Sequence, residues 1–526
     1  MTRTVRIAAV AHCSTLGQRA HEAAAALARP ACAPGERKVL GEAWPWFAMA
    51  VDDADWSTRA RTAITRVGSD LAQAMPAADW AGTPLFVASS SLQMGALEHA
   101  ARARGAIDMP ADAAAFPQQV ADWLGIAGTP WTLSTTCTSG FAAIDAAASL
   151  IRQGVIDRAL VIGIELANDT TLAGFAGLGL LARQAGEKGL VLGEAVAGVL
   201  LSANADSGWE LAACRLGVDG HSPTGPAPDG RVIRATMDAA LADAGLRADD
   251  IDLLKLHGGD LAATAEAESC AVSAVFGDAR PATISFKHRL GHTLGASGVA
   301  ELSLLLAVLD GQAQPPRHIL LNLVGFGGSI GALVLRASPA ARSAQTKEPC
   351  TDEGTRPIAA HECARIALAL DSAELSARAR AVAAAISAPP LRRAGALAEL
   401  CLAGVDACAT PDEHAGSTAI LVASRSGPRQ AFARVLEDLC LRSEAPMPFD
   451  FLATQAVLAA LPVHKRLPGL DAFYYLPGTD DSALLWQRMA QLASAWLACG
   501  RHRHVLIGIV EPGATQHRCE WRRLGG

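Results

Sequence analysis

The sequence predicts an α/β protein, and three observations carry that prediction. Apolar runs, such as Arg158–Glu165 (RALVIGIE) as one strand and residues 189–202 (GLVLGEAVAGVLLS) as a strand pair, read as strands buried on both faces. Between them lie Ala-rich stretches of helix length without internal Pro or Gly, such as residues 141–153. The alternation runs twice, through residues 1–205 and 206–337, and parts of it return in the last third of the chain.

In the first series, residues 5–11 read as a buried strand, with a turn near Ser14 and Gly17. Residues 18–80 carry helical stretches with loops at 30–35, and residues 57–75 form a helix presenting Arg59, Arg61 and Arg66. Residues 84–89 give a second strand, 116–124 a helix with Pro117 in its first turn, and 130–133 a short strand. The second series has a strand at 209–216, a helix at 230–244 with Asp229 as N-cap, and a strand at 251–256 running into His257. A helix at 265–276, a strand at 283–286, a helix at 295–309 and a strand at 331–336 complete it.

At 526 residues, the chain is long enough for two or three domains. It is 51% hydrophobic and 18% charged, a globular composition. A net charge of −7 argues against a nucleic-acid partner. The 12 cysteines form no C-x-x-C pair and no zinc pattern, so a reducing compartment and no metal are expected. The first residues contain no apolar leader segment, and no apolar run reaches membrane-span length. The expected location is cytoplasmic.

One stretch stands out for chemistry, Ser134-Thr135-Thr136-Cys137-Thr138-Ser139-Gly140. It places Cys137 at a strand-to-helix turn. There the orphan helix N–H groups and the positive end of the dipole are expected to stabilise a thiolate and to hold an oxyanion. A single cysteine is more often a small buried hydrophobe, so this reading depends on support from elsewhere in the chain.

The downstream pieces, in order, are LHGG with His257, SFKHRLGHTLGASG with Lys287 and His292, and GFGGS from Gly325 to Ser329. With TTCTSG, this ordered set resembles a β-ketoacyl-[acyl carrier protein] synthase of the thiolase-like superfamily, over residues 5–336. His221, in DGHSPTGPAPDG, resembles the family's linking segment before the second half. The resemblance implies a layered α-β-α-β-α fold of two similar halves. It implies that Cys137 holds an acyl group as a thioester and that His257 and His292 stabilise the enolate formed from a malonyl thioester. The backbone N–H groups of Cys137 and Phe326 would form the oxyanion hole, with Gly325 and Gly327 flanking Phe326 as the acyl gate. Lys287 and Glu268 would be a supporting charged pair.

Acyl and malonyl acyl carrier proteins are the implied partners. They bring their own phosphopantetheine, so no soluble cofactor is expected. A homodimer, or a heterodimer with a ketosynthase-like subunit, is also implied. The arginines at 59, 61 and 66 are a candidate carrier-docking face, against the alternative of an ordinary solvated helix face. Two departures from the family pattern are visible: His257-Gly258-Gly259-Asp260 lacks the usual Thr, and residues 174–194 look short. Two rival readings are an acyltransferase to an alcohol or amine, and a non-catalytic partner subunit. The paired histidines argue against the first and an intact Cys137 against the second.

Residues 338–357 are polar and bounded by Pro, and read as a linker. Residues 358–526 resemble the N-terminal half of a ketosynthase: Ala419–Ser424 parallels residues 85–89, and residues 505–511 parallel 160–165. The alignment puts Ser482 or Ala483 where Cys137 stands, so this half-domain has no nucleophile. Such a half-fold must bury its open face, and the catalytic domain or another subunit is the obvious surface.

Overall fold

A computed structural model describes residues 3–49, 51, 55–206, 208–259, 261–338, 360–386, 394–410 and 417–525. Apart from Ser338, the expected linker at 338–357 lies outside the described residues, as does Asp260.

Ten strands form one sheet and five form a second. The ten are two sets of five, joined edge to edge where Arg6 faces Glu210. The first set is Arg6–Ser14, Leu85–Ala88, Trp131–Leu133, Arg158–Glu165 and Ala195–Ser202. The second is Trp209–Val218, Leu253–Lys255, Ala282–Ile284, His318–Val324 and Ser329–Ala337. The separate sheet holds His361–Asp371, Thr418–Ser424, Leu470–Pro477, His504–Glu511 and Gln516–Gly525. Numbered within its own set, every set runs 1-5-4-2-3 across the sheet. In each, the pairs 1/5 and 5/4 are antiparallel and the pairs 4/2 and 2/3 parallel. The fold unit therefore occurs three times.

The helices Ser139–Arg152 and Ser297–Leu309 are apolar nearly all round and lie buried at the centre, as that composition demands. They cross at two glycines. A Cβ on Gly140 would lie 2.8 Å from the Val299 nitrogen, and one on Gly298 would lie 2.8 Å from the Phe141 nitrogen. On the outside, Trp56–Ala72 and Arg231–Ala244 each bury one apolar face, led by Ile64 and Leu71 in one and Ile233 and Met237 in the other. The result is the layered helix–sheet–helix–sheet–helix arrangement.

The third set packs against the first. Ser134 N donates to Tyr475 O at 3.0 Å, beyond the end of strand Trp131–Leu133. Helix Ser482–Ala498 lies against Ser139–Arg152, where Trp496 Nε1 donates to Ser149 Oγ at 3.1 Å. Tyr474 OH donates to Asp145 Oδ2 at 2.6 Å. One apolar core runs through the contact, joining Phe141 and Ile144 to Leu476, Met489 and Trp496.

Three local expectations need correction. The stretch read as helices and loops holds a hairpin, Gly35–Val39 and Glu42–Phe47. Its two-residue turn has Leu40 at φ 50° and Gly41 at φ 82°. Strand His318–Val324 had no sequence counterpart. The N-cap of Arg231–Ala244 is Gly230, at φ 64°, and Asp229 supports it from one residue further out by accepting from Arg231 N at 3.1 Å.

Candidate active site

The nucleophile candidate sits on a strained turn. Strand Trp131–Leu133 ends, a single 3₁₀ turn Thr136–Thr138 comes next, and the buried helix begins at Ser139. Thr136 is held at φ 54°, the left-handed region that β-branched residues avoid. Its hydroxyl donates to Phe326 O at 2.9 Å, which ties the turn to the glycine loop. Ser139 Oγ accepts from Thr135 N and donates to Thr136 O, at 2.9 and 2.6 Å.

The second half repeats this device. The 3₁₀ turn Leu294–Ala296 leads into helix Ser297–Leu309, with Leu294 at φ 43°. The two turns pack against each other, which brings the His292 segment to Cys137. The rings of His257 and His292 stand edge to face, with centroids 5.5 Å apart.

Hydrogen bonding fixes the tautomer of both rings. His257 Nδ1 accepts from Val324 N at 3.1 Å, and His292 Nδ1 accepts from Leu294 N at 3.2 Å. A neutral ring that accepts at Nδ1 carries its proton on Nε2. Burial, reinforced by the Lys287 ammonium, holds both rings well below the usual histidine range. Two neutral Nε2–H donors result.

Cys137 departs from expectation. Burial pushes its thiol up to about 11, against the opposing pull of the Phe326 amide and the Lys287 charge. Complete desolvation outweighs a helix dipole that reaches the sulfur only through a three-residue turn. The Phe326 and Cys137 amides both favour the anionic form of the sulfur. Gly328, at φ 73°, leaves no room for a side chain, because a Cβ would strike Asp219 O.

The charged pair is also different. Lys287 Nζ bonds Glu301 Oε1 at 2.6 Å and donates to His257 O at 2.8 Å, so its partner is Glu301 and not Glu268. Glu268 instead accepts from His257 N at 2.6 Å, Gly258 N at 3.1 Å and Asn322 Nδ2 at 2.6 Å, and so holds the His257 loop by its backbone. A second lysine, Lys255, reaches the other oxygen of Glu301. Glu301, Lys255 and Asn322 escaped the sequence reading. Glu301 and Asn322 occupy apolar runs, and Lys255 a short strand, where they read as incidental.

Of the three arginines on Trp56–Ala72, only Arg61 is exposed. Arg59 turns inward and pairs with the buried Glu194 at 2.8 Å, while Arg66 donates to Gln18. An exposed face of all three arginines is therefore not present: Arg59 and Arg66 are engaged within the fold, and Arg61 alone of the three faces outward.

Beside Cys137 is a cavity of about 20 Å³, bounded on one side by Phe432, Phe451, Thr454 and Gln455 from the C-terminal region. Phe175 stacks on Phe326 at 5.1 Å and meets Phe451 edge-on at 5.7 Å. A further cavity of about 70 Å³ shares the walls Ser90, Ser91, Met94, Phe432 and Thr454.

Residues 57–207 match the family model for the beta-ketoacyl synthase N-terminal domain, and residues 209–320 match that for its C-terminal domain. The chain belongs to the β-ketoacyl synthase family. It is 28% identical over 251 residues to a 3-oxoacyl-[acyl-carrier-protein] synthase 2 of Coxiella burnetii, covering 39% of this ketosynthase-family chain and 61% of that relative. Among solved structures it resembles the ketosynthase ApeO, in complex with its chain length factor ApeC, from Xenorhabdus doucetiae. That match has a TM-score of 0.55 and 24% identity, over 64% of this chain and 98% of that one. The PfaC keto synthase-chain length factor matches with a TM-score of 0.70 and 12% identity, over 99% of this chain and 78% of that one. Both likenesses concern the fold. The second extends through the C-terminal sheet of the ketosynthase-family chain.

The C-terminal repeat has no cysteine at the corresponding turn. Two residues before helix Ser482–Ala498, where Cys137 would fall, stands Asp480; Asp481 caps the helix by accepting from Leu484 N at 2.9 Å. Ser482, one of the two positions aligned with Cys137, is already the first helical residue, and Ala483 is the second.

Proposed function

We propose that the protein is a condensing enzyme joining an acyl group held on Cys137 to a malonyl thioester, with loss of carbon dioxide. The Cys137 sulfur attacks the acyl thioester carbonyl, the carrier thiol departs with the proton, and an acyl-enzyme thioester remains. The malonyl thioester then loses carbon dioxide, and the electrons left behind form an enolate. His257 and His292 donate their Nε2 protons as hydrogen bonds to its oxygen. The enolate carbon attacks the Cys137 thioester, forming the new carbon–carbon bond. The amides of Cys137 and Phe326 hold the oxyanion until the carbon–sulfur bond breaks and Cys137 leaves as a thiolate, which takes a proton from solvent.

The observation that supports this most strongly is the pair of backbone N–H donors on the two Nδ1 atoms. An enolate is stabilised by donors that keep their protons, and two neutral Nε2–H groups fixed edge to face supply them. An acyltransferase would need only one such group, as a base. The phosphopantetheine arms of acyl and malonyl carrier proteins deliver both substrates in this scheme, and no metal or soluble cofactor enters it. Lys287 sets the field, Glu268 anchors the His257 loop, and Phe326 with Gly325 and Gly327 gates the chamber.

Residues 358–526 are proposed to close the far end of the acyl chamber. Phe451 and Phe432 reach it from that region, which also bonds Ser134 beside the Cys137 turn through Tyr475 O.

The test is intact-protein mass after mixing with an acyl carrier thioester, for the parent and Cys137→Ala, followed by malonyl carrier and a carbon dioxide measurement. An adduct in the parent alone, cleared with release of carbon dioxide, supports condensation. An adduct that malonyl carrier leaves in place refutes it in favour of simple acyl transfer.

A further inference from the structure

Glu301 lies at the bottom of the site with both carboxylate oxygens occupied by lysines, Lys287 on one and Lys255 on the other. Lys255 is fully buried, at the end of strand Leu253–Lys255 and two residues before His257. Its Nζ also lies 3.4 Å from Asn322 O. Asn322 in turn holds Glu268, which holds the His257 backbone.

One lysine would neutralise Glu301. The second is explained by the other carboxylate. Glu268 comes from helix Ala262–Phe276, is buried, and is bound by two backbone N–H groups and an amide, with no cation directly on it. Lys287, Glu301 and Glu268 alone would leave a net negative charge beneath two buried histidines. Such a charge draws a proton onto a neighbouring imidazole. The other buried carboxylates near the site have their own donors: Glu165 is turned to Ser90, Ser91 and the Gly295 amide, Glu194 is paired with Arg59, and Asp219 accepts from the His221 and Ala227 amides. Lys255 supplies the balancing charge.

We propose that Lys255 is a positioning residue that keeps His257 and His292 uncharged, and so available as paired Nε2–H donors, by offsetting the buried negative charge of Glu268. It touches no substrate. Its ammonium acts directly against protonation of both rings, in the same sense as Lys287. The catalytic consequence rests on the condensation reading; the protonation state of the rings does not.

The experiment is a histidine ¹³Cε1 NMR titration from pH 8 to pH 4.5, with resonances assigned through His257→Gln and His292→Gln. In the parent, neither ring titrates in the usual histidine range. In Lys255→Met, the protonation of at least one ring moves measurably to higher pH. Lys255→Gln keeps a hydrogen-bonding head without the charge. It shows the same rise and carries the test if the Met variant does not fold. Unchanged midpoints in the folded variant overturn the proposal and leave Lys255 as packing. In parallel, the acid limb of carbon dioxide release from malonyl carrier moves to higher pH in both variants. Absence of any release in the parent would count against condensation alone, because the titration needs no turnover.

Discussion

Asp145 and Arg501 form a buried ion pair, with Asp145 Oδ1 and Arg501 Nη1 2.5 Å apart. Asp145 is on the helix that begins just after Cys137 and Arg501 is in the C-terminal repeat, so the pair ties that helix to the appended region. Tyr474 adds its hydroxyl to the other oxygen at 2.6 Å. The two regions are parts of one fold.

Breaking that pair should therefore be costly. Arg501→Met leaves Asp145 buried with a single hydroxyl donor, and removing one partner of a buried pair costs about 3–5 kcal/mol. Urea unfolding of the whole chain should show a loss of that order. Asp145→Asn combined with Arg501→Met should recover much of it, since the charge is then gone. A single variant with unchanged stability would show that the pair is not desolvated.

The aromatic wall makes a prediction about substrate size. A cavity of about 20 Å³ admits little more than one water-sized group beside Cys137. Longer acyl groups must displace Phe326, Phe175 or Phe451. Phe451→Ala enlarges this space and should shift acyl loading on Cys137 towards longer chains, read by intact mass across a series of acyl carriers. Truncating a buried Phe also costs about 3–5 kcal/mol, so loading should be compared at a temperature where both proteins are folded. Unchanged chain preference would mean that the C-terminal region does not line the path.

Much of this site was legible because its chemistry is carried by short local patterns. TTCTSG, LHGG, KHRLGH and GFGGS each place a reactive group beside the glycine or hydroxyl that its turn requires, and the order of the pieces fixed the assembly. Lys255, Glu301 and Asn322 were not legible. They meet only because strand Leu253–Lys255 pairs with His318–Val324 while helix Ser297–Leu309 returns beneath them, and no local pattern encodes that meeting. Arg59 misled for a related reason. Its spacing places it on an exposed face, but the buried Glu194, far along the chain, draws it inward. The thiol of Cys137 was misjudged because the turn signals a helix dipole, whereas burial is set by the whole fold.

Acid stability is governed by the buried histidines. Burial lowers His12 and His502 to about 4, and holds His257 and His292 well below their usual range. A base depressed in the folded state takes up its proton on unfolding, so its contribution is complete above about pH 6.5 and is lost as pH falls. Each such histidine contributes a slope of about 1.4 kcal/mol per pH unit below that point. Between pH 6.5 and 5.5, unfolding free energy should fall by several times that slope. Below pH 5 the buried Glu98 and Glu165, whose carboxyls burial raises, act in the opposite sense and should soften the decline. A flat profile from pH 7 to 5.5 would mean that these rings are protonated in the folded protein.

Arg59 and Arg61 separate a structural arginine from a docking one. Arg59 donates to both oxygens of Glu194, whose carboxylate also receives Met49 N and Ala167 N. Glu194 is buried and Arg59 mostly so, hence Arg59→Ala should destabilise the chain by about 3 kcal/mol, the low end for a broken buried pair that keeps its amide donors. Arg61 is exposed on the same helix. Arg61→Glu should leave unfolding within about 0.5 kcal/mol of the parent. If this face meets an acidic carrier, the same change should slow acyl loading from carrier protein several-fold while leaving loading from a small thioester unchanged, and the difference should shrink at high salt. Equal loading from both donors in the Arg61 variant would remove this helix as the docking surface.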